Sequence, residues 1–280
     1  MDSAFTVTPM SNVIELKPGE TYEGDILISN PEDAKADFDY KVEVMPYGVV
    51  GTGYNADFTT SSINTQMVNW INIFNPTGTI APNGKNHVKY TITVPKDAAG
   101  GGQYAALVIG KNDGGSVSEG IGVHNIYSMA SLIFAQIDGE IIHTGEILDQ
   151  SVPGFVIGFP ATTSVTLKND GNVHESADVY LKIVNVLNGQ TVYPKEGDSG
   201  GISENIMPGT TRYMTKNIQD ISPLGIYEVT QTINYLGNQH VTTQTMIACP
   251  IWFLILFSVT ICSIIGFIIS RVIKHKKSKE

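Results

Sequence analysis

Before residue 246, apolar and polar positions alternate with a period of two, and the alternation is broken repeatedly by Pro, Gly and Asn. In Phe38-Asp39-Tyr40-Lys41-Val42-Glu43-Val44 the even positions are apolar or aromatic and the odd ones charged, the pattern of a strand with one wet face. Val88, Tyr90, Ile92 and Val94 repeat it, and so do Ala177, Val179, Leu181 and Ile183, with Asp178, Tyr180 and Lys182 facing the other way. No long amphipathic helical pattern interrupts these strands. The chain then changes character. From Ile251 to Ile269 it reads IWFLILFSVTICSIIGFII without a charge. At about 1.5 Å per residue such a helix matches a hydrocarbon core of about 30 Å. A buried core helix would show a polar face, and Ser258, Thr260, Ser263 and Gly266 are too small and scattered to make one. Ser263 and Gly266 would allow close approach of another helix, but one small pair favours packing against lipid.

The two halves of the β-rich part follow the same order. The first has a strand ending Ile28-Ser29-Asn30, a polar turn, the strand around Val42, then Ile80-Ala81-Pro82-Asn83-Gly84 and the strand from Val88. The second has Val165-Thr166-Leu167-Lys168-Asn169, the turn Asp170-Gly171-Asn172, the strand around Leu181, then Ile206-Met207-Pro208-Gly209 and the strand around Tyr213. Each half also opens a late strand with Gly-x-Tyr, at Gly102-Gln103-Tyr104 and Gly225-Ile226-Tyr227, a candidate for the tyrosine that pins a corner of immunoglobulin-like sandwiches. The expectation is an all-β protein of two tandem Ig-like β-sandwich domains, residues 1–137 and 138–246, then a single C-terminal transmembrane α-helix over 247–273 and a basic tail over 274–280. The Gly, Ser and Asn-rich stretch from Lys111 to Gly122 reads as a hairpin loop in the first domain. Trp70, the one tryptophan before the apolar segment, is expected in the core.

Charge sets the direction. From Arg271 onward there are five basic residues against the single acid Glu280, whereas 217–250 contains no Lys or Arg. Positive flanks stay in the cytosol, so the large N-terminal part is expected outside the cell and the tail inside. Trp252 suits the outer headgroup level, and Pro250 stands where a helix can begin. An external N-terminus needs a secretion signal, and Met1-Asp2-Ser3-Ala4-Phe5 has neither a basic nor an apolar signal region, so the expectation is a signal removed or missed at the gene start. A tail anchor is the minority alternative. The net charge of −10 excludes nucleic acid as a partner, since affinity for phosphate comes largely from Lys and Arg. Cys249 and Cys262 are the only cysteines, and Asn75-Pro76-Thr77 is the only near match to a glycosylation acceptor, blocked by its proline. Both features lean towards a bacterial surface.

Candidate chemistry is sparse. Gly197-Asp198-Ser199-Gly200-Gly201 matches the string around the nucleophile of chymotrypsin-like proteases, but none of His87, His124, His143 or His174 stands in the Ala-Ala-His-Cys-like context that such a triad requires. An inter-strand loop is the better reading, and a membrane-tethered serine hydrolase using Ser199 is the alternative. No metal is expected: the histidines are dispersed, and Asn30, Glu32, Asp33 and Asp37, like Asn169, Asp170 and Asn172, read as solvated turns. Gly100-Gly101-Gly102 lacks the Lys-Ser/Thr of a phosphate loop and is expected as a turn into a strand, so no cofactor is expected either.

This order of parts resembles the WxL-interacting proteins of Gram-positive cell surfaces. The likeness is carried by Phe5-Thr6-Val7, Lys17-Pro18-Gly19-Glu20, Ile28-Ser29-Asn30, Val94-Pro95, Ile206-Met207-Pro208-Gly209, the run Ile251 to Ile269 and Lys274 to Lys279. Gly101-Gly102-Gln103-Tyr104-Ala105 departs from that family's Gly-rich segment. The resemblance implies peptidoglycan contact by the first domain, protein contact by the second, and no catalysis. The expected function is a non-enzymatic, membrane-anchored binding or scaffold protein of the cell surface, contacting a cell-wall polymer or another surface protein. An accessory subunit of a membrane complex is the other alternative.

Overall fold

The period-two pattern of the sequence is the burial pattern of the strands. In the computed structural model, which describes residues 5–51, 53–59, 61–112 and 128–277, Tyr40 and Val42 are buried between exposed Asp39, Lys41 and Glu43. The stretches around Val88 and Leu181 alternate in the same way. Most of the Gly-rich loop expected over Lys111 to Gly122 lies outside the described residues, as do His124, Lys279 and Glu280.

The chain divides into two compact units, the first being Met1–Glu146 with Lys168–Glu175 and Ile206–Arg212, and the second Ile147–Leu167, Ser176–Asn205 and Tyr213–Glu280. In the first unit, β1 (Thr6–Thr8), β2 (Ser11–Leu16), β3 (Thr21–Ser29) and β4 (Phe38–Pro46) are followed by the hairpin of β5 (Gly48–Val50) and β6 (Asn55–Asp57). A 3-10 helix (Ile63–Asn69) leads to β7 (Ile71–Ile73), β8 (Thr77–Ile80), β9 (Lys85–Thr93), β10 (Gly101–Lys111) and β11 (Met129–Ile137). These strands form two sheets, ordered β1-β3-β9-β7 and β2-β11-β10-β4-β8. In these two sheets β2 joins β11 in parallel, and the other neighbouring strands pair antiparallel. Ile26, Ile28, Val88, Tyr90 and Ile92 of one sheet share a core with Tyr40, Val42, Leu107, Ile109 and Ile133 of the other. The arrangement is a β-sandwich, in which each sheet hides its alternating apolar face.

The second sandwich is built from β12 (Gly145–Ser151), β13 (Phe155–Ile157), β14 (Ala161–Asn169), β15 (Glu175–Asn185), β16 (Thr191–Tyr193), β17 (Gly201–Ile206), β18 (Thr211–Ile218), β19 (Gly225–Tyr235) and β20 (Asn238–Cys249). A three-stranded sheet runs β12-β14-β18, and a six-stranded one runs β13-β20-β19-β15-β16 with β17 also on β15. Leu181, Ile183, Tyr227, Val229 and Met246 lie in its core. The chain is thus all-β with two Ig-like sandwiches and a C-terminal helix.

The internal repeat has a physical basis at its two asparagines. Asn30 and Asn169, expected in solvated turns, are instead buried; Asn30 donates from Nδ2 to the carbonyls of Ala36 and Ile80, at 3.1 and 2.9 Å. Asn169, with no exposed surface, donates to Val173 and Ile206 at 2.7 and 2.8 Å. Each side chain ties the polar turn after its strand to the carbonyl that opens a later Pro-Gly or Pro-Asn-Gly turn. The carbonyls of Ile80, Val173 and Ile206, whose bonds are buried, are thereby satisfied.

The helix α1 (Ile251–Lys277) begins one residue after β20, and its stretch Ile251–Arg271 is long and apolar enough to cross a membrane. Ser258, Thr260 and Ser263 each donate to the carbonyl four residues earlier at 2.8 Å, so their hydroxyls are satisfied within the helix. That matters in lipid, where no water completes an open hydrogen bond.

Candidate functional site

The structure forms a cleft in the first unit. Its wall starts with the 3-10 helix. Ser62 caps that helix: its hydroxyl accepts from Asn64 N–H at 3.3 Å, and its own N–H donates to Thr65 Oγ1 at 2.8 Å. The helix is clamped to β10 by Gln103, a buried amide whose Nε2 donates to Ile63 O at 2.8 Å and whose Oε1 accepts from Met67 N–H at 3.1 Å. Asn64 Nδ2 adds a bond to Gly102 O at 2.9 Å. Trp70 ends the helix, its N–H bonded to Met67 O at 2.9 Å, and its half-buried ring packs partly on the core. It is therefore both a core residue and a wall of the cleft, not a fully buried plug.

The floor is Gly100-Gly101-Gly102, which turns into β10 and not into a helix, as the missing phosphate-loop residues imply. Gly101 has φ of +129°, a conformation that side chains disfavour. Gly102 N–H donates to Asn172 O at 2.7 Å, while Asn172 Nδ2 donates to Glu140 O at 2.8 Å. The resulting cleft has a volume of about 710 Å³, and its polar lining comprises Asn64, Gln66, Asp97, Gln103 and Asn172. Gln66 and Asp97 are exposed. Among the described residues lining it there is no Lys, Arg or His. An indole, amides, one carboxylate and glycine backbone suit a neutral ligand with hydroxyl or amide groups, and they disfavour phosphate or polyanions.

The other candidates are placed elsewhere. Ser199 lies in the exposed loop between β16 and β17, where its Oγ accepts from Gly201 N–H at 3.2 Å. Asp198 Oδ1 accepts from Gly200 N–H at 2.9 Å, and that bond holds its carboxyl below the usual range. Three of the described histidines have other partners: His87 meets Asp25 at 2.6 Å, His143 meets Glu175 at 2.6 Å, and His174 meets Tyr104. No group of three or more metal-ligating side chains is found among the described residues.

A second cluster in the first unit gathers aromatic rings. Tyr104 and Phe134 meet edge to face at 5.7 Å, and His174 sits edge-on to both at 5.8 and 5.4 Å. Tyr104 Oη accepts from the His174 N–H at 2.8 Å. Burial pushes the His174 imidazole below its ordinary value of 6.5, only partly opposed by Glu175. A depressed histidine favours the neutral form in the folded state, so its contribution to stability is complete above 6.5 and is lost as the pH falls from there through the folded value. The expected outcome is a thermal midpoint that drops between neutral and mildly acidic pH in the wild type and drops less in His174→Gln. Parallel melting curves for the two proteins across that window would refute it. Of the two Gly-x-Tyr tyrosines offered as corner tyrosines, Tyr227 donates to Ser222 O at 2.8 Å, five residues upstream, as a corner tyrosine does, whereas Tyr104 bonds His174, 70 residues downstream, and pins no corner.

No family model matches the chain, and no curated protein sequence matches it. Solved structures to which it is similar include the class 5 fimbriae chaperone CfaA, at TM-score 0.41 and 12% identity over 88% of this chain and 100% of that one. Another is the CsuC-CsuE chaperone-tip adhesion subunit pre-assembly complex from Csu pili of Acinetobacter baumannii, at 0.41 and 12% over 86% and 98%. The E. coli chaperone DraB follows at 0.38 and 9% over 86% and 97%. The resemblance to WxL-interacting proteins therefore rests on the chain's own order of parts.

Proposed function

We propose that this chain is a non-enzymatic cell-surface binding protein, anchored by α1 with its sandwiches outside the cell and its basic tail in the cytosol. Residues 1–137 and 138–246 are taken as its two domains. The partner is a neutral segment of a cell-wall polymer, held in the first unit's cleft beside Trp70; membership of a WxL-interacting-like family would imply such contact for residues 1–137, which supply Trp70, Asn64, Gln66, Asp97 and Gln103 to its lining. The observation that carries this reading is the lining: an indole with amide groups and glycine backbone, and no cation. Such a lining hydrogen-bonds sugar hydroxyls and acetamido groups while the ring covers an apolar sugar face. Anchoring confines the protein to a thin layer at the membrane, where local concentration compensates for modest affinity.

The test is retention of the full chain, in detergent, on purified peptidoglycan. Trp70→Ala is expected to weaken retention at least about tenfold, the factor that accompanies a loss of about 1.4 kcal/mol. Gln66→Ala, at an exposed position, should weaken it several-fold without lowering the melting temperature. Because the lining is not cationic, raising the salt concentration should leave retention unchanged. Retention that survives both substitutions, or that disappears in moderate salt, would exclude the cleft as the binding site.

A further inference from the structure

The outer face of the six-stranded sheet changes character at one end. There β13, β20, β19 and the end of β15 place a row of apolar side chains across the sheet. Phe155 is the register partner of Ile247, and Ile247 is the partner of Ile226. The Val186 N–H donates to Ile226 O at 2.9 Å, which continues the row. All four are exposed, from 37% for Ile226 to 54% for Phe155. Leu187 beside Val186 is 77% exposed, and Leu224, just before β19, is 44% exposed. Their strand neighbours Val156, Tyr227, Met246 and Ala248 point into the core, so the row is not a misplaced part of it.

The rows behind are mostly polar on the same face: Glu228 pairs with Thr245 and with the half-buried Val184, and Thr230 pairs with both Thr243 and Lys182. The apolar row thus lies at the end of the sheet from which the chain leaves for α1. Exposed apolar residues gathered in one place mark an interaction surface, whereas scattered ones do not.

We propose that this row is a lipid-docking surface, which seats the second sandwich on the phospholipid headgroup layer beside its own anchor. The proposal rests on α1 spanning the membrane. Ile247 precedes Ile251 by four residues, so at about 3.3 Å per extended residue it stays within about 13 Å of the first turn of the helix. A bilayer of about 40–45 Å with about 30 Å of hydrocarbon has a headgroup layer roughly 5–8 Å deep on each side. Trp252, 58% exposed in the first turn, prefers that layer, which brings Ile247 to its outer boundary or into it. A modest lean of the strand then lowers Phe155, Ile226, Val186 and Leu187 into the depth of about 5–10 Å that amphipathic surfaces occupy. Chain continuity therefore brings lipid to this row whenever the anchor is inserted.

The test uses the full chain in phosphatidylcholine vesicles, with Cys249→Ala and Cys262→Ser removing the native thiols. An environment-sensitive fluorophore is attached at Leu187→Cys and, for comparison, at Thr243→Cys, which is exposed on the same face two rows away. The Leu187 label is expected to emit to the blue of the Thr243 label, to lose most of its intensity in vesicles made with brominated acyl chains, and to resist iodide. Adding Phe155→Ser with Ile226→Ser should return it towards the Thr243 behaviour. A Leu187 label as open to iodide as Thr243 and indifferent to bromination overturns the proposal. So does a signal that follows the protein-to-lipid ratio instead, which would make the row a contact between copies. Flotation after carbonate washing separates the two levels of failure: a protein stripped from vesicles defeats the spanning helix itself, and one that floats with a water-like label defeats only the docking.

Discussion

Asn169→Leu is expected to lower the thermal midpoint of the first unit by about 10 °C, corresponding to a loss of about 3–5 kcal/mol. The side chain has no exposed surface, and it serves three backbone groups. Its Nδ2 donates to Val173 O and Ile206 O, and its Oδ1 accepts from Gly171 N–H at 2.8 Å. Leucine is close in shape but satisfies none of them, and each buried group left open costs about 1–3 kcal/mol, with incomplete additivity. Asn169→Asp should be no milder, because a carboxylate would face two carbonyls with no donor to offer. Asn30→Leu provides the internal comparison. It loses equivalent bonds to Ala36 O and Ile80 O, but Ala36 is exposed, so water can replace one of them. Its cost should be nearer about 1–3 kcal/mol. Calorimetry of the full chain in detergent checks the ranking. An Asn169→Leu protein melting within a degree or two of wild type would mean that these bonds do not organise the repeat.

The parts of the fold that were legible in the sequence were those carried by local periodicity. The alternations at Phe38–Val44, Val88–Val94 and Ala177–Ile183 became strands with the expected faces inward, because burying one side of a sheet constrains every second residue of the chain. The apolar run 251–269 became one helix for a similarly local reason. The repeat was visible through its Asn and Pro-Gly signals, and the structure supplies the cause in the hydrogen bonds of Asn30 and Asn169.

Features assembled by long-range pairing were not legible. The 3-10 helix at Ile63–Asn69 is held by Gln103, and the glycine floor of the cleft by Asn172, about 70 residues further along the chain. A local trace of the helix existed in Ser62 and Thr65, which form a capping box with Thr where Glu or Gln is usual. Trp70 shows the limit of single-residue reasoning: an indole at the end of a short helix can pack on a core and face a cleft at once. Phe155, Val186, Ile226 and Ile247 lie in or beside four different strands, and no local pattern connects them. Only strand register makes them a surface. The Ser199 string is a local match in an exposed loop, where Ser199 Oγ accepts from Gly201 N–H; the chemistry of that string would also require a histidine placed beside it by the fold, which no local pattern supplies.

Gly102→Ala should cost about as much as truncating the large buried side chain beside it, about 3–5 kcal/mol, although glycine in a strand is normally improved by alanine. A Cβ on Gly102 would lie 2.0 Å from Tyr104 Oη and 2.6 Å from Cζ. Tyr104 is 1% exposed and cannot swing outward without abandoning its edge-on contacts with Phe134 and His174 and its bond from the His174 N–H. The added methyl group therefore expels the ring or distorts β10, where the glycine also helps form the cleft. Gly225→Ala, at the equivalent Gly-x-Tyr, meets Tyr227 Oη at 2.7 Å and should be milder. The cause can be isolated by a double-mutant cycle. In a Tyr104→Leu background the space is free, so Gly102→Ala should become neutral or slightly stabilising, with a coupling of about 2–3 kcal/mol. Tyr104→Phe removes the nearest atom but leaves Cζ in the way, so it should rescue only in part. Equal costs for Gly102→Ala in all three backgrounds would place the penalty in the backbone and not in the ring. If the ring is the cause, each of these glycines is the socket in which a buried tyrosine sits, and the repeated tripeptide is a packing unit that can be tested in either half of the chain.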